Sequence, residues 1–274
     1  MTARSTDPES ATSPVLLRGD IDGIAMIALN RPQARNTLSE AMLAALHGQF
    51  ASIAADDQVR AVIISHNGAA FCAGHDMKEM TAHRADPDRG RFYFKALMEQ
   101  CSALMMSIQK LPQPVIAAVE GVATAAGCQL VASCDLAVAS ETARFSTPGV
   151  HIGLFCSTPM VALSRNVANK HAMEMLLTGD MVSAADAYRI GLVNRVVPAG
   201  KASEHALELA RQIASKSMLT VKLGKQAFYR QREHNLADAY KLTIDVMVEN
   251  MLARDAEEGI GAFIEKRDPN WEDR

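Results

Sequence analysis

Two stretches of small residues constrain this chain more than any other feature of its sequence. They are residues 70–76 (AFCAGHD, the first turn) and residues 121–128 (GVATAAGC, the second turn). Each follows a short apolar run, at 61–65 and at 115–119, and each leads into a helical pattern. A strand that passes through small residues into a helix leaves backbone N–H groups unpaired at the positive end of the helix dipole. One such turn most often only connects two elements, but two brought together would form a pair of donors for an oxyanion.

The two turns belong to a longer series of segments. In chain order these are LNRPQARNTL, AFCAGHDMKEM, PVIAAVEGVATAAGCQLVASCDLAVAS and EGIGAFIEKRDPNW. The series resembles the crotonase (enoyl-CoA hydratase/isomerase) superfamily over residues 15–271. The resemblance implies an α/β crotonase fold, which is a spiral of ββα units followed by a C-terminal helical trimerisation region. We therefore expect the spiral core at 15–200, and a helical region at 201–274 that serves oligomerisation and closes the CoA pocket.

Composition and charge exclude several classes of function. Hydrophobic residues make up 49% of the chain and charged residues 22%, which suffices for a sizeable core. A net charge of −3 gives no basic field for nucleic acid, and no apolar run approaches the ~20 residues that span a bilayer. No histidine cluster has the spacing of a zinc site, so we expect no metal. The protein is therefore expected to bind neither nucleic acid nor a membrane.

The N-terminus and the cysteines bear on the location of the protein. Residues 1–14 are polar and lack the apolar core of a signal peptide, so they predict a disordered tail. The five cysteines are odd in number and form no CxxC pair. Such a set is typical of reduced thiols inside the cell. The sequence therefore predicts a cytoplasmic protein.

The N-terminal half predicts a parallel sheet with helical crossovers. Residues 15–18 and 24–29 flank a turn and predict a β-hairpin. Thr37 and Glu40 have the spacing of a capping box, which predicts a helix start at Thr37. Further strands are predicted at 61–65, 115–119 and 136–139, with helices between them. This βαβαβ order indicates parallel strands joined by right-handed crossovers, and no GxGxxG follows any of the strands, so a dinucleotide-binding fold lacks its phosphate loop.

The C-terminal part is mainly helical. The polar segment 81–90 predicts a mobile flap beside the site, and only 193–197 indicates a strand after residue 159. Helices are predicted at 160–167, 170–177, 184–190, 202–216, 221–230, 236–254 and 256–266. Their apolar stripes need a surface to cover them, and the family uses this region to form trimers. We therefore expect a homotrimer or a dimer of trimers.

The resemblance assigns an oxyanion hole to the two turns. Its donors fall on the backbone N–H groups of His75 and Ala126, which would hold the carbonyl oxygen of an acyl-CoA thioester. The His75 imidazole is an alternative acid or base, but we favour a side chain that points away. Asp76 is expected to cap the helix that follows the first turn. An alanine at position 126 permits the turn unless its φ is positive.

The resemblance also places the CoA moiety. Its phosphates need cations and its adenine needs an apolar slot, and in the family the C-terminal residues often reach the ligand of a neighbouring subunit. Coenzyme A would be part of the substrate, and no permanently bound cofactor is expected. The implied binding residues are Arg35, Ala73, Gly74, Asp76, Met77, Lys78, Gly127, Pro148, Phe263 and Lys266.

This chain departs from the family at both acid/base positions. Hydratases of the family place one glutamate two residues after the last glycine of the second turn and another directly after a later proline. Gln129 and Gly149 occupy those positions here. Hydration needs one group that takes a proton from water and another that delivers a proton to carbon. Neither glutamine nor glycine titrates, so we expect weak activity in the standard hydratase reaction.

Three classes of function stay open at this point. The first is an enzyme of the enoyl-CoA hydratase/isomerase type with unusual acid/base groups. The second is a thioester hydrolase or a decarboxylase-like enzyme, for which His151, Cys156 or Ser157 would supply the reactive group. The third is a protein that binds acyl-CoA thioesters with little turnover.

Overall fold

The computed structural model describes residues 13–274, along which β-strands alternate with α-helices. The strands are β1 (Leu16–Ile21), β2 (Ile24–Leu29), β3 (Ala61–His66), β4 (Ala70–Cys72), β5 (Val115–Val119), β6 (Val122–Thr124), β7 (Leu136–Ser140), β8 (Arg144–Ser146), β9 (Val182–Ser183) and β10 (Arg195–Val197). The helices are α1 (Glu40–Ala54), α2 (Met77–Ala82), α3 (Arg91–Lys110), α4 (Ala126–Ser133), α5 (Pro159–Leu163), α6 (Asn169–Thr178), α7 (Ala184–Arg189), α8 (Ala202–Ala214), α9 (Met218–Gln231), α10 (Leu236–Leu252) and α11 (Arg254–Glu265).

The strands form two sheets. The larger sheet has the order β1-β2-β3-β5-β7-β10, and it is parallel from β2 onward. The smaller sheet has the order β4-β6-β8-β9. β3, β5 and β7 each pass directly to a neighbouring strand of the smaller sheet, namely β4, β6 and β8. The repeat of two strands in different sheets followed by a helix is the spiral of ββα units that the family resemblance implied.

The predicted hairpin at the start of the chain is confirmed. β1 and β2 pair antiparallel, with Ile21 opposite Ile24. The two residues between them, Asp22 and Gly23, have φ values of 51° and 74°. Positive φ at both central residues belongs to the two-residue turn whose twist matches that of the paired strands.

Both ends of the described chain are tied to the core. The Pro14 carbonyl accepts a hydrogen bond from the Asn30 side chain (2.9 Å). At the other end, the Asp273 carboxylate pairs with Arg60 at 2.6 Å. The predicted disordered tail at 1–14 lies outside the described residues except for its last two positions.

The hydrophobic core lies on both faces of the larger sheet. One face carries the major cluster, which includes the α1 side chains of Leu43, Leu46 and Phe50. On the other face, α8 packs its alanines at 202, 206 and 210 against β3, β5 and β7. Because an alanine stripe lets a helix approach a sheet closely, α8 seals this face without a bulky layer.

The helix start predicted at Thr37 is wrong. The chain stays extended through Leu38, whose N–H donates to the Gly74 carbonyl (2.8 Å). The cap is instead Ser39, whose hydroxyl accepts from the Met42 N–H (3.2 Å). Pairing with the first turn therefore delays the helix by two residues, a tertiary contact that local spacing does not reveal.

The polar segment 81–90 is more structured than the predicted flap. α2 extends to Ala82, and a short 3-10 helix spans His83–Ala85. The His83 ring stacks on Tyr93 with centroids 3.5 Å apart and bonds to Asp86 at 2.8 Å. The segment is thus held against α3.

The predicted C-terminal helices are all found, with shifted boundaries. α9 begins at Met218 rather than at residue 221, because the Ser217 hydroxyl accepts from the Thr220 N–H and caps it. α10 has no buried residue, although it carries large apolar side chains. Its exposed apolar residues are Leu236, Tyr240, Ile244, Met247, Val248, Met251 and Leu252. No helix within residues 13–274 is long and apolar enough to cross a membrane.

Candidate active site

The smaller sheet brings the two turns together. β4 forms the start of the first turn, which continues beyond Cys72. β6 lies in the second turn, which continues beyond Thr124 into α4. These two strands are parallel neighbours. The carboxyl ends of parallel neighbours lie at the same edge of a sheet, so both turns emerge side by side.

Glycines allow the two turns to touch. A Cβ atom at Gly127 would overlap the backbone carbonyl of Cys72, so only glycine fits there. Gly74 has a φ of 93°, and a Cβ built on it would lie 3.5 Å from the Ala126 nitrogen. The first turn therefore lies directly beside the N-terminal end of α4.

Two backbone N–H groups are available where Gly74 and His75 of the first turn meet Ala125 and Ala126 of the second turn (the junction). Ala126 is the first residue of α4, and the first intrahelical bond is that of Gln129 N–H to the Ala125 carbonyl (3.0 Å). The first N–H groups of a helix have no partner inside it. Across the junction, the Gly74 carbonyl accepts a hydrogen bond from the Leu38 N–H. The His75 N–H, in contrast, has no acceptor among residues 13–274. Both N–H groups can therefore donate to a ligand.

Ala125, rather than Ala126, carries the unusual backbone conformation of the second turn. Its φ is 50° and its ψ is −119°, a region that favours glycine. Its N–H donates to the Ser146 carbonyl (3.0 Å), which fixes it against β8. The φ of Ala126 is not positive, so an alanine at this position permits the turn.

We expect Ala125→Gly to stabilise the protein by about 1 kcal/mol. Glycine relieves a strain of about 1–3 kcal/mol, and this gain exceeds the loss of about 0.4–1 kcal/mol from greater freedom of the unfolded chain. Urea unfolding measures the difference. Ala126→Gly is the matched control, and it should destabilise, because position 126 has ordinary helical geometry. Equal losses in the two variants would contradict strain at Ala125.

Gln129 lies one helical turn beyond the junction. Ala126, Gln129 and Ser133 share one face of α4, since residues three and four apart align on a helix. Gln129 is only 4% exposed, and its Oε1 has no hydrogen-bond partner in the described chain. Its side chain lines a cavity of about 720 Å³. An unpaired buried oxygen is costly, so a ligand or water in the cavity is the natural donor to it.

Four helices and the segments next to two of them form the wall of this cavity (the Gln129 cavity). α3, α4, α5 and α9 contribute side chains, together with the loop before α5 and the residues that follow α5 and α9. Its lining residues are Ser102, Met105, Met106, Gln109, Lys110, Gln129, Ser133, Ser157, Thr158, Val161, Ala162, Arg165, Gln226, Tyr229, Arg230 and Glu233. The floor is mostly apolar and the rim is charged. From α4 the cavity is lined by Gln129 and Ser133, whereas Ala126 itself does not line it.

Gly149 contributes no group to the Gln129 cavity. It lies in the 3-10 segment Pro148–Ile152, and its carbonyl accepts from the Leu154 N–H (2.9 Å). A Cβ built on Gly149 would lie 2.8 Å from the Leu154 carbonyl oxygen and 3.0 Å from the Cys156 sulfur. Residues 154–156 therefore occupy the space into which a longer side chain at position 149 would project.

The alternative reactive groups do not form a nucleophile–base pair. The exposed His151 bonds through Nε2 to the Thr178 carbonyl (2.7 Å). Cys156 is buried, and burial raises the pKa of its thiol. A buried thiol with a raised pKa is a poor nucleophile. Of the three groups considered, only Ser157 lines the Gln129 cavity.

The His75 ring is directed towards Leu38. Its Nδ1 lies 3.4 Å from the Leu38 carbonyl oxygen, and its Nε2 is enclosed without a partner among the described residues. Burial lowers the pKa of this imidazole. The ring is therefore neutral at pH 7, and it does not line the Gln129 cavity.

The charged residues in and beside the first turn are either paired or unpaired. Asp76 accepts from the Lys78 N–H (3.0 Å) and caps α2, as predicted, and it also pairs with Arg31 at 3.5 Å. The Arg35 carbonyl accepts from the Ala73 N–H (3.1 Å), which anchors exposed Arg35 beside the turn. Lys78 is exposed and has no ion pair within residues 13–274. Arg35 and Lys78 are thus the cations next to the junction.

The two remaining candidates lie on α11. Phe263 is 84% exposed, and Lys266 ends the helix with a φ of 57°. α11 packs against α10 and against Trp271 of the C-terminal segment. Within one chain these residues do not join the junction residues in a common cavity. No group of three or more His, Cys, Asp or Glu side chains in the described part of the chain is arranged to hold a metal ion.

Sequence reasoning missed most of the cavity wall. Met105 and Met106 both line the Gln129 cavity, and neither is among the site residues that the sequence suggested. Tyr229 and Arg230 come from α9, about a hundred residues further along the chain. Three methionines within one helix gave some indication, because flexible thioethers are common in binding surfaces. Nothing local pointed to α9.

Comparisons with known proteins identify the family. The enoyl-CoA hydratase/isomerase family profile matches residues 20–274. The chain therefore belongs to this family, and the predicted resemblance is confirmed.

Three individual proteins of the family are similar to this chain over nearly its whole length. The chain is 47% identical over 269 residues to the "Enoyl-CoA hydratase domain-containing protein 3, mitochondrial" of Rattus norvegicus, covering 98% of this chain and 88% of the rat protein. The crystal structure of human enoyl-CoA hydratase domain-containing protein 3 matches with a TM-score of 0.89 and 48% identity, covering 94% of this chain and all (100%) of that one. The structure of an enoyl-CoA hydratase from Mycobacterium smegmatis matches with a TM-score of 0.90 and 52% identity, covering 94% and 99% of the two chains. These matches confirm the crotonase fold.

The predicted cytoplasmic location is wrong. The relatives with 46–49% identity, from mammals, frog and zebrafish, all carry "mitochondrial" in their names. Reduced cysteines misled the prediction, because they do not distinguish one reducing compartment from another. All five cysteines are free and buried in the structure.

Proposed function

We propose that this protein binds acyl-CoA thioesters at the junction of the two turns. The carbonyl oxygen of the thioester accepts hydrogen bonds from the N–H groups of His75 and Ala126. The observation that carries the proposal is the pair of unpartnered N–H groups beside a helix N-terminus, where negative charge on an oxygen is stabilised. Each such donor typically contributes about 2.7–4 kcal/mol to an enolate-like transition state. The acyl group extends past Gln129 into the Gln129 cavity.

The reaction is of the enoyl-CoA hydratase/isomerase type, with weak activity in standard hydration. Gln129 can orient a water through its amide but cannot exchange a proton, and Gly149 is covered by its own loop. Among residues 13–274, Glu233 is the sole carboxylate in the wall of the Gln129 cavity, and it lies 3.7 Å from Arg165. A binding protein with little turnover is the second candidate, favoured by this scarcity of titrating groups. Hydrolysis through Cys156 and His151 loses support, because the two are directed to other partners.

Coenzyme A enters as part of the substrate, and no resident cofactor is required. Arg35, Met77 and Lys78 border the junction and are exposed, so they are suited to contact the phosphates and the pantetheine chain. The backbone shapes the binding site for the ligand at four further positions, Ala73, Gly74, Gly127 and Pro148. Phe263 and Lys266 act on the ligand of a neighbouring copy, which accounts for an 84% exposed phenylalanine.

Acyl-CoA binding should depend on the packing of the two turns. Calorimetry with acetyl-, crotonyl- and octanoyl-CoA should detect binding to the wild type, and Gly127→Ala should weaken it at least about tenfold, because the added methyl separates the donors. Gly48→Ala is the control, since a methyl at that glycine of α1 meets nothing within 4 Å. Absence of heat with all three esters on the wild type would refute the proposed ligand.

We also propose a homotrimer or a dimer of trimers, built through the apolar face of α10. Ile244, Val248 and Met251 are each at least half exposed, in a helix with no buried residue. A continuous apolar patch on a helix usually marks an interface. Light scattering at micromolar concentration should show a trimer or hexamer, and Ile244→Glu should dissociate it, whereas Asp245→Ala should not. A monomeric wild type would contradict this assembly.

A further inference from the structure

The rim of the Gln129 cavity has a charge opposite to that of the whole protein. Lys110, Arg165 and Arg230 line it together with Glu233, which gives the wall a net charge of +2 (three cations minus one carboxylate), whereas the chain carries −3. Lys110 and Arg230 form no ion pair and no side-chain hydrogen bond within residues 13–274. Two free cations thus face one cavity.

The two cations lie at exposed helix ends, whereas the floor of the cavity is buried. Gln129 and Ser133 lie on the helix that starts at the junction, and Met105 and Ala162 complete the buried floor. Lys110 is the last residue of α3 and Arg230 lies in the last turn of α9, and both are exposed. An acyl group that begins at Ala126 would therefore cross an apolar floor before it reaches the cations.

From this arrangement we infer that the protein prefers CoA monothioesters of dicarboxylic acids. The distal carboxylate of the acyl group pairs with Lys110 and Arg230 at the rim, and the intervening methylenes cover Met105 and Met106. A carboxylate matches guanidinium and ammonium donors, and such charge-assisted hydrogen bonds are stronger than neutral ones. This inference rests on the proposed binding of the thioester at the junction.

A neutral fatty acyl chain fits the same rim less well. Its terminal methyl would lie next to cations and remove part of their hydration without replacing it. A dicarboxylic monothioester instead satisfies the cations and leaves them partly solvated. The cavity volume of about 720 Å³ leaves room for such a chain together with water.

The test compares matched pairs of esters on the full-length protein. Calorimetry gives the dissociation constants of glutaryl-, adipoyl- and suberoyl-CoA beside those of pentanoyl-, hexanoyl- and octanoyl-CoA. The best dicarboxylic ester should bind about tenfold more tightly than its neutral partner of equal length. Because the rim is exposed, the ratio should shrink as salt is raised.

Substitutions then test whether Lys110 and Arg230 cause the preference for dicarboxylic esters. Lys110→Met combined with Arg230→Met should remove the preference by weakening the binding of the dicarboxylic esters, and it should not weaken the binding of the neutral esters. Lys95→Met, on the same helix as Lys110 but outside the cavity wall, should leave the preference unchanged. Equal affinity of the wild type for both members of every pair would overturn the inference and leave the proposed function standing. No binding of any ester would instead overturn the proposed function.

Discussion

Gln129→Glu should raise the rate of crotonyl-CoA hydration by about 10²–10⁴-fold over a very slow wild type. The substitution changes the carboxamide to a carboxylate of almost the same shape, at a position that is 4% exposed and lines the Gln129 cavity. A positioned acid/base group typically contributes a factor of this size, provided that the substrate is already held in place. Steady-state kinetics with crotonyl-CoA measures the change in kcat.

A control separates proton transfer from added charge. Gln109→Glu places a carboxylate in the same cavity wall, on α3 rather than on α4. It should leave the rate at the wild-type level, because it is not on the helix face that carries Ala126. Fast hydration by the wild type would show that another group, such as Ser157, handles the proton.

The second missing glutamate cannot be restored as simply. Gly149→Glu introduces a Cβ 2.8 Å from the Leu154 carbonyl oxygen, and a backbone atom cannot yield without a shift of the loop. The double variant should therefore exceed Gln129→Glu in rate only if the 149–156 loop moves, and it should lose about 1–3 kcal/mol of stability.

Local sequence predicted the parts of the fold that local physics determines. The buried strands β3 and β5 are apolar runs, and the α1 face carries Leu43, Leu46 and Phe50 at helical spacing. The strands β4, β6, β8 and β9 were not predicted, because each has two or three residues and exists only through pairing. The helix start at Ser39 depends in the same way on the pairing of Leu38 with His75.

The candidate site divides along the same line. Each of the two turns is a short continuous segment rich in small residues, so both could be recognised from the sequence. The Gln129 cavity is assembled from α3, α4, α5 and α9, and no window of sequence contains it. Its charged rim became visible only when the fold placed Lys110 and Arg230 in the wall of one cavity.

A buried ion pair attaches α9 to the rest of this site. The Lys225 ammonium, 9% exposed, donates to Asp135 Oδ2 (2.7 Å) and to the Ile108 and Gln113 carbonyl oxygens (both 2.9 Å). Asp135 also accepts from the hydroxyl of Tyr229 (2.9 Å), a residue of the cavity wall. Burial lowers the pKa of Lys225, and the Asp135 carboxylate opposes that shift. The pair therefore joins α9 to α3 and to the segment before β7.

Lys225→Met should cost about 3–5 kcal/mol of stability, because it leaves the Asp135 carboxylate buried without its cation. Urea unfolding measures the loss. Lys222→Met is the control on the same helix; its partner Asp57 is 93% exposed at the side chain, so the change should stay within about 1 kcal/mol. Adding Asp135→Asn to Lys225→Met should recover part of the loss, since a neutral amide needs no counter-charge and still accepts a hydrogen bond from Tyr229. If Lys225→Met cost no more than Lys222→Met, the pair would not be what holds α9 against the Gln129 cavity.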